Sequence, residues 1–371
     1  MTSRMDKLID LLKEQNLVGV ALNPGPTLTY LTGMSFHLME RPTVLLALKD
    51  GQVGLILPEL EMGKLPKDLS RWQVFSYGDD PATWFAAFET AFQSLNLING
   101  DVGVEPTRLR FMELSYLQKA GSGIEFVDAS QVFSRLRMNK DSEEIEKMKE
   151  AARIAQTALL RTLKGVREGT TEKEIANELL IQLLKGGSDP EIPFAPIVAM
   201  GENSANPHAV PTERALRPGD LLLIDWGASF EGYLSDITRT FTFGEVDPEL
   251  IRIGEIVLEA NRAARQMGKA GLAAGAVDRA ARSVITSAGY GHAFFHRTGH
   301  GLGMEAHEEP YIYSENDLIL SPGAAFTIEP GIYLPGKGGV RIEDDVIVTE
   351  EGLLSLTDLP RQVLPLVTLF N

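Results

Sequence analysis

The sequence predicts an α+β fold in two domains, an α/β domain over residues 1–133 and a larger domain over 134–371 built from helices and antiparallel hairpins. Three observations predict it. A chain of 371 residues that is 44% hydrophobic has the length and the apolar content for two ordinary cores. Its first third alternates short apolar runs with helical periodicity, the pattern of strands interleaved with helices. The remainder opens on two long helical patterns and then sets two pairs of acids symmetrically about turns, as hairpins would.

The elements follow in order. Met1 to Lys13 mixes charge with helical periodicity where a signal peptide would show an uncharged apolar stretch, so it reads as an amphipathic helix. Leu17 to Leu22 and Thr43 to Leu48 read as strands, and Asp50-Gly51 is a turn joining the latter to Val53–Leu57. From Pro81 to Leu97 a helix gathers Trp84, Phe85, Phe88, Phe92 and Leu95 on one face, which reads as core. Val102–Val104 and Ile124–Val127 add short strands, and the boundary falls between Ser130 and Asn139. Asp141 or Ser142 then caps a long helix, and Thr170 or Thr171 caps a second that reaches about Leu184 before Gly186-Gly187. No tandem repeat of about 20–50 residues is apparent, although the two acid-bearing hairpins hint at a duplicated half-domain. There is no low-complexity linker.

Composition removes several functions. The absence of cysteine excludes a disulfide framework, a thiolate nucleophile and a cysteine-based zinc finger; it fits a reducing compartment, and the cytoplasm is expected. A net charge of −16 argues against nucleic acid, whose phosphates select basic surfaces. No apolar stretch approaches the roughly 18 residues that mark a membrane span.

The acids carry the chemistry. A hairpin centred between Phe230 and Glu231 sets Asp225 opposite Asp236, and opposed residues have Cβ atoms about 4.5–5.5 Å apart, where like charges repel. Glu329 and Glu343 are symmetric about Gly336 in the same way. Between the pairs lies His300, in Thr298-Gly299-His300-Gly301-Leu302-Gly303. Any single acid of this set reads equally as a solvated surface residue or a protonated pair, but the joint pattern calls for cations. Two divalent ions would neutralise four carboxylates, and oxygen-rich ligation with one imidazole suits manganese, cobalt, iron or zinc.

Four of the six histidines fall in these segments: His300, His208 in Asn206-Pro207-His208, His296 in Phe295-His296-Arg297, and His307 in Ala306-His307-Glu308. A lone histidine is more often a structural hydrogen-bonder; this clustering favours function. Arg341, two residues before Glu343, shares its strand face and is placed to orient a carboxylate or a substrate terminus, or to form a structural ion pair. Tyr333, four residues after Glu329, is placed to hydrogen-bond near the acids, work that buried tyrosines also do structurally.

These segments resemble the Xaa-Pro peptidases of the pita-bread metallopeptidase family, which also contains methionine aminopeptidases and creatinase. The matching motifs are Ile224-Asp225-Trp226-Gly227, Ser235-Asp236-Ile237-Thr238-Arg239-Thr240, Thr298 to Gly303, Thr327-Ile328-Glu329-Pro330-Gly331 and Arg341-Ile342-Glu343-Asp344. The resemblance runs from about Lys140 to the C-terminus, and the residues ahead of it resemble the N-terminal domain of Xaa-Pro peptidases and creatinase. It implies a creatinase/prolidase-like α/β domain followed by a pita-bread domain, a curved and largely antiparallel sheet with flanking helices. It implies two divalent ions per chain, Mn2+ foremost with Co2+, Zn2+ or Fe2+ as alternatives, held by Asp225, Asp236, His300, Glu329 and Glu343, with Asp236 and Glu343 bridging. It further implies that His208 and His307 meet the scissile carbonyl and tetrahedral intermediate, while His296, Arg341 and Tyr333 contact substrate. Creatinase and the histone-chaperone relatives lack the metal ligands; all five are present here.

The expected reaction is hydrolysis of the Xaa-Pro bond, with a water bridging the two ions as nucleophile and Glu329 as general base. The compact Glu329-to-Glu343 hairpin resembles small microbial prolidases, in which a partner subunit closes off the site beyond proline. This implies a dipeptidase acting on Xaa-Pro dipeptides and a homodimer. The alternatives are an aminopeptidase P acting on longer proline-containing peptides and, in a different class, a non-catalytic binding protein on the same fold.

Overall fold

The structure, a computed structural model, describes residues 3–67 and 72–370. The chain divides into two compact units, Met1–Arg137 and Met138–Asn371.

In the first unit, helix α1 (Arg4–Glu14) starts at a capping box in which Ser3 and Asp6 satisfy each other's backbone donors. Strand β1 (Gly19–Leu22), helix α2 (Pro26–Thr32) and strands β2 (Val44–Leu48), β3 (Val53–Pro58) and β4 (Trp72–Tyr77) follow. Next come α3 (Pro81–Ser94), β5 (Gly100–Val104), α4 (Phe111–Ala120), β6 (Ile124–Asp128) and α5 (Ser130–Arg137). The six strands form one mixed sheet in the order β4-β3-β2-β1-β5-β6. Helix α3 lays Trp84, Phe88, Phe92 and Leu95 into its core, and Phe85 is partly buried under the Lys119 ammonium, 3.9 Å from the ring centre. Strand β4 escaped sequence reading because its side chains are half-buried on both faces, which blurs the period of two. Helix α5 carries the first unit on to Arg137, beyond the expected residue 133.

The second unit repeats one arrangement twice. Helices α6 (Ser142–Leu163) and α7 (Glu172–Lys185) precede β7 (Ile197–Met200), β8 (Asp220–Trp226), β9 (Ser229–Phe230), β10 (Tyr233–Leu234) and β11 (Ile237–Phe243). Helices α8 (Pro248–Met267) and α9 (Ala274–Ser287) precede β12 (Gly299–Gly301), β13 (Glu308–Ile312), β14 (Ala325–Ile328), β15 (Gly331–Leu334), β16 (Gly338–Arg341), β17 (Asp344–Val348) and β18 (Leu353–Ser355); β19 (Leu364–Pro365) closes the chain's strands. Asp141 caps α6 and Thr171 caps α7, each through a full capping box. The sheets run β19-β11-β8-β7 and β13-β12-β14-β17-β18, with β15 and β16 as a separate hairpin. In the first half, Ile154, Leu159, Leu179 and Leu183 pack on Val198, Leu222, Ile224 and Trp226; in the second, Ile253, Val257, Val277 and Ile285 pack with Phe326, Ile328 and Val346. The buried Trp226 indole donates to the Ala155 carbonyl at 2.9 Å, so this aromatic costs no unsatisfied donor.

One hairpin differs from expectation. Phe230 pairs with Tyr233 and Asp225 pairs with Thr238, not with Asp236. The turn residues are Glu231 and Gly232, both at positive φ (48° and 77°), as a two-residue hairpin turn of matching twist requires. That turn sits one residue further along than expected, so the register moves by two, and a shift of two keeps the acids on one face. The second hairpin has the expected register: Gly331 pairs with Arg341, Tyr333 with Gly339 and Ile328 with Asp344, leaving Glu329 and Glu343 opposed between strands.

Phe88 is fully buried in the first unit's core. Phe88→Ala should cost about 3–5 kcal/mol of that unit's stability, read as a shift of the urea midpoint; a change under about 1 kcal/mol would contradict this packing.

Candidate metal centre

Four of the five proposed ligands sit where a strand ends or is interrupted, and Asp225 stands in the β8 ladder. Asp225 is near the end of β8, Asp236 lies between β10 and β11, His300 is the middle residue of β12, and Glu329 and Glu343 lie just outside β14 and β17. Gly299 and Gly301 flank the imidazole because a Cβ on either would meet the carbonyl oxygens of Thr327 or Glu309 at 1.8 and 2.2 Å. The glycine-rich segment thus lets β12 lie closely between β13 and β14. All five side chains line one cavity of about 840 Å³, together with His208, His296, His307, Arg297 and Arg341, under an apolar wall that includes Phe194 and Phe295.

Inside it, Asp236, His300 and Glu343 offer ligand atoms within 4.8 Å of one another. His300 Nε2 lies 3.7 Å from Asp236 Oδ2 and 3.5 Å from Glu329 Oε1. The other ring nitrogen, Nδ1, donates to the Gly301 carbonyl at 3.1 Å, which fixes the tautomer and turns the Nε2 lone pair toward the acids. Asp225 Oδ2 accepts from Arg341 Nη2 at 2.6 Å, while its buried Oδ1 has no partner. Glu343 Oε2 accepts from the Thr238 hydroxyl at 2.6 Å.

The electrostatics of the cluster are those of a site that cations would suit. Burial first, then Glu343 and Asp225, push the Asp236 carboxyl well above its ordinary range. Burial, then Glu329 and Asp225, do the same to Glu343. Burial and the nearby Asp225 push Glu329 up to about 8 against the opposing pull of Arg341. Burial and the neighbouring His307 hold His300 down to about 3, so its imidazole is neutral. Neutral imidazole, clustered carboxylates and one orphaned buried oxygen are a donor set that divalent ions fit.

The remaining expected residues surround this cluster. His307 stacks edge-on against His300, ring centres 4.1 Å apart, and His208 lies on the cavity wall. Arg341, 2% exposed, does form the carboxylate contact, and its other donors go to Thr238 Oγ1, the Tyr333 hydroxyl and the Pro207 carbonyl. Tyr333 lies behind the cavity wall, its hydroxyl shared between Arg341 and His296 at 3.0 Å each. His296 Nδ1 donates to the Arg297 carbonyl at 2.7 Å, so Nε2 accepts from Tyr333 and the ring turns carbon, not a free N–H, toward the cavity.

Sequence reading missed the groups that hold the ligands. Thr238 links Glu343 to Arg341. The Asp236 amide donates to the Asp345 carboxylate at 3.1 Å. Asn261, fully buried on α8, donates to the carbonyls of Ile328 and Ile342 at 3.2 and 3.3 Å, the residues immediately before Glu329 and Glu343. Arg282 and Asp278 on α9 brace the His296 segment through the His296 carbonyl and the Thr298 amide and hydroxyl. The available signal was adjacency: Asp344-Asp345 directly follow Glu343, and Thr238 shares a strand face with Asp236.

Comparison with known proteins places these features in a family. The family model for metallopeptidase family M24 matches residues 146–350, and that for the creatinase/prolidase N-terminal domain matches residues 4–139. An Xaa-Pro dipeptidase of Lactobacillus helveticus is 35% identical over 98% of this chain and 99% of its own. A dipeptidase from Pyrococcus horikoshii superposes with a TM-score of 0.92 at 40% identity, covering 98% of this chain and 99% of that one. A prolidase from Thermococcus sibiricus superposes with a TM-score of 0.91 at 35% identity, covering 98% of both.

Two outcomes are expected. Asp236→Asn should abolish binding of both ions, measured as metal content after gel filtration; full retention would remove Asp236 from the ligand set. The second concerns pH. A carboxyl whose folded pKa is raised favours the metal-free fold at low pH, and this contribution is lost as pH rises from about 4.5 through about 8 for Glu329. Metal favours the ionised form, so the gap between the melting temperatures of Mn2+-loaded and metal-free protein should widen across that window. A gap independent of pH would contradict carboxylate ligation.

Proposed function

Because the chain belongs to metallopeptidase family M24 and carries a creatinase/prolidase N-terminal domain, we propose that it is a metal-dependent Xaa-Pro dipeptidase. The observation that carries this reading is the buried set Asp225, Asp236, His300, Glu329 and Glu343 lining one cavity with His208, His296 and His307. The names of the relatives matched over nearly the whole chain favour dipeptides over longer peptides.

Asp225, Asp236, His300, Glu329 and Glu343 would hold two divalent ions, Mn2+ foremost given the oxygen-rich donors. When bound, such ions lower the pKa of water and polarise a carbonyl. Glu329 takes the proton of the attacking water on its carboxylate and passes it to the departing nitrogen. That transfer is essential for an Xaa-Pro bond, whose nitrogen carries no hydrogen and must be protonated to leave. His307 and His208 donate to the carbonyl oxygen as negative charge develops there. Arg341 holds Asp225 directly and Glu343 through Thr238, so its part is to fix ligand geometry. His296, braced by Tyr333, forms with Phe295 an aromatic wall suited to the proline ring. A homodimer and a cytoplasmic location belong to the same proposal. Among the described residues no helix is long and apolar enough to cross a membrane.

The test is hydrolysis of Ala-Pro, Ala-Pro-Ala and N-acetyl-Ala-Pro by Mn2+-loaded protein. Ala-Pro should be cleaved fastest and the acetylated peptide not at all. Faster cleavage of Ala-Pro-Ala would make the protein an aminopeptidase, and no turnover by fully loaded protein would make it a binding protein. His307→Ala should keep both ions yet lose on the order of a hundredfold in kcat; an unchanged rate would return His307 to a structural role.

A further inference from the structure

Behind the metal ligands a second cavity has the opposite charge problem. Strand alternation turns Arg239 and Asp344, the neighbours of Thr238 and Glu343, away from the metal-binding face. There the fully buried Asp344 carboxylate meets three guanidinium groups, those of Arg239 at 2.8 Å, Arg361 at 2.7 Å and Arg265 at 3.9 Å. Its acceptor positions are already filled: Oδ1 accepts from Arg239 and Thr357, and Oδ2 from Arg361 and Asn261. A carboxylate offers about four such positions.

Arg265 is therefore left over. Its Nε donates to the neutral side-chain oxygen of Asn261 at 2.8 Å, and among the described residues no carboxylate hydrogen-bonds its terminal nitrogens. Burial and the like charges of Arg361 and Arg239 hold it below the usual guanidinium range. Arg265 and Arg361 line a cavity of about 620 Å³ with Arg262. Two acids share its lining: Glu259, paired with Arg262 at 2.9 Å, and Asp358, exposed to solvent. Three arginines on one saturated carboxylate leave positive charge in surplus even after the exposed Asp358 is set against it, in a chain whose net charge is −16.

We propose that this cavity binds a small oxyanion of the phosphate class, held by the terminal nitrogens of Arg265 and by Nη1 of Arg361, with Arg262 at the rim. The terminal nitrogens of Arg265 offer paired N–H donors matched to such an oxyanion, and Arg361 adds Nη1, since its Nε and Nη2 already donate to Asp344, Ser355 and Thr357. The site is independent of the peptidase reading, since no metal ligand lines it.

The experiment is residue-resolved modification of arginines by phenylglyoxal in the metal-loaded protein, read by mass spectrometry. At inorganic phosphate about four times its dissociation constant, labelling of Arg265 should slow about fivefold, while the exposed Arg153 is unaffected. Chloride and acetate at equal ionic strength should not protect. Labelling of Arg265 that phosphate leaves unchanged, or that acetate slows equally, would overturn the proposal. In equilibrium dialysis with labelled phosphate, Arg265→Gln should lose one bound phosphate per chain. Arg262→Gln, which leaves every Asp344 contact in place, should weaken that site; undiminished binding in both variants would likewise overturn it.

Discussion

Mutual repulsion among buried carboxylates is the constraint on which the catalytic unit depends. Asp236, Glu329 and Glu343 are desolvated beside Asp225, and burial disfavours the charged form of each of the three before their neighbours add to the penalty. Such a cluster persists only if protons or counter-charges offset it and if the backbone beneath it does not yield. Both conditions are visible. Arg341 lies against Asp225, and against the effect of burial Arg239 and Arg361 hold Asp344, one residue beyond Glu343, down to about 2. The Asp344 network therefore anchors the strand through a carboxylate that stays ionised, while burial pushes the neighbouring Glu343 toward its protonated form.

Apart from Asp225, which is paired on both sides within β8, the proposed ligands sit at interruptions rather than in regular ladder positions. A residue inside an antiparallel ladder has its backbone groups paired across the strand, whereas the residues around Asp236, Glu329 and Glu343 make irregular bonds. The Glu343 amide donates to the Thr238 carbonyl and the Glu329 amide to the Thr298 carbonyl. The first contact stitches together strands of two different sheets, and the second ties β12 to β14 within one. Asn261 does the same from outside, bonding the carbonyls before both glutamates from a single helix position. A helix residue thereby sets the spacing between two ligands it never touches.

Much of this was legible in the sequence, for physical reasons that differ by residue. The symmetry of Glu329 and Glu343 about Gly336 survived because the Pro335-Gly336-Lys337 turn leaves little choice of register. The Asp225 hairpin was misplaced because the turn was centred between Phe230 and Glu231, whereas Phe230 pairs in the strand and Glu231-Gly232, both at positive φ, make the turn. The ligands themselves were readable because a carboxylate at the end of an apolar run has few innocent explanations. Their supports were not: Asn261 and Arg265 lie on a helix whose polar positions look solvated until the strands beneath are known. Their partners are separated from them by many tens of residues, and no periodicity announces a contact of that kind.

The two-fold arrangement of the second unit has a kinetic meaning. Asp225 and Asp236 belong to one helix-and-sheet half, and His300, Glu329 and Glu343 to the other, so no continuous stretch of chain contains a complete donor set. The Asp225 to Arg341 contact alone spans 116 positions. Contacts of such separation form late, after local helix pairs and hairpins have collapsed. A nascent chain whose second half is unmade lacks three of the five proposed donors, and any discrimination between cations by site geometry falls to the finished fold.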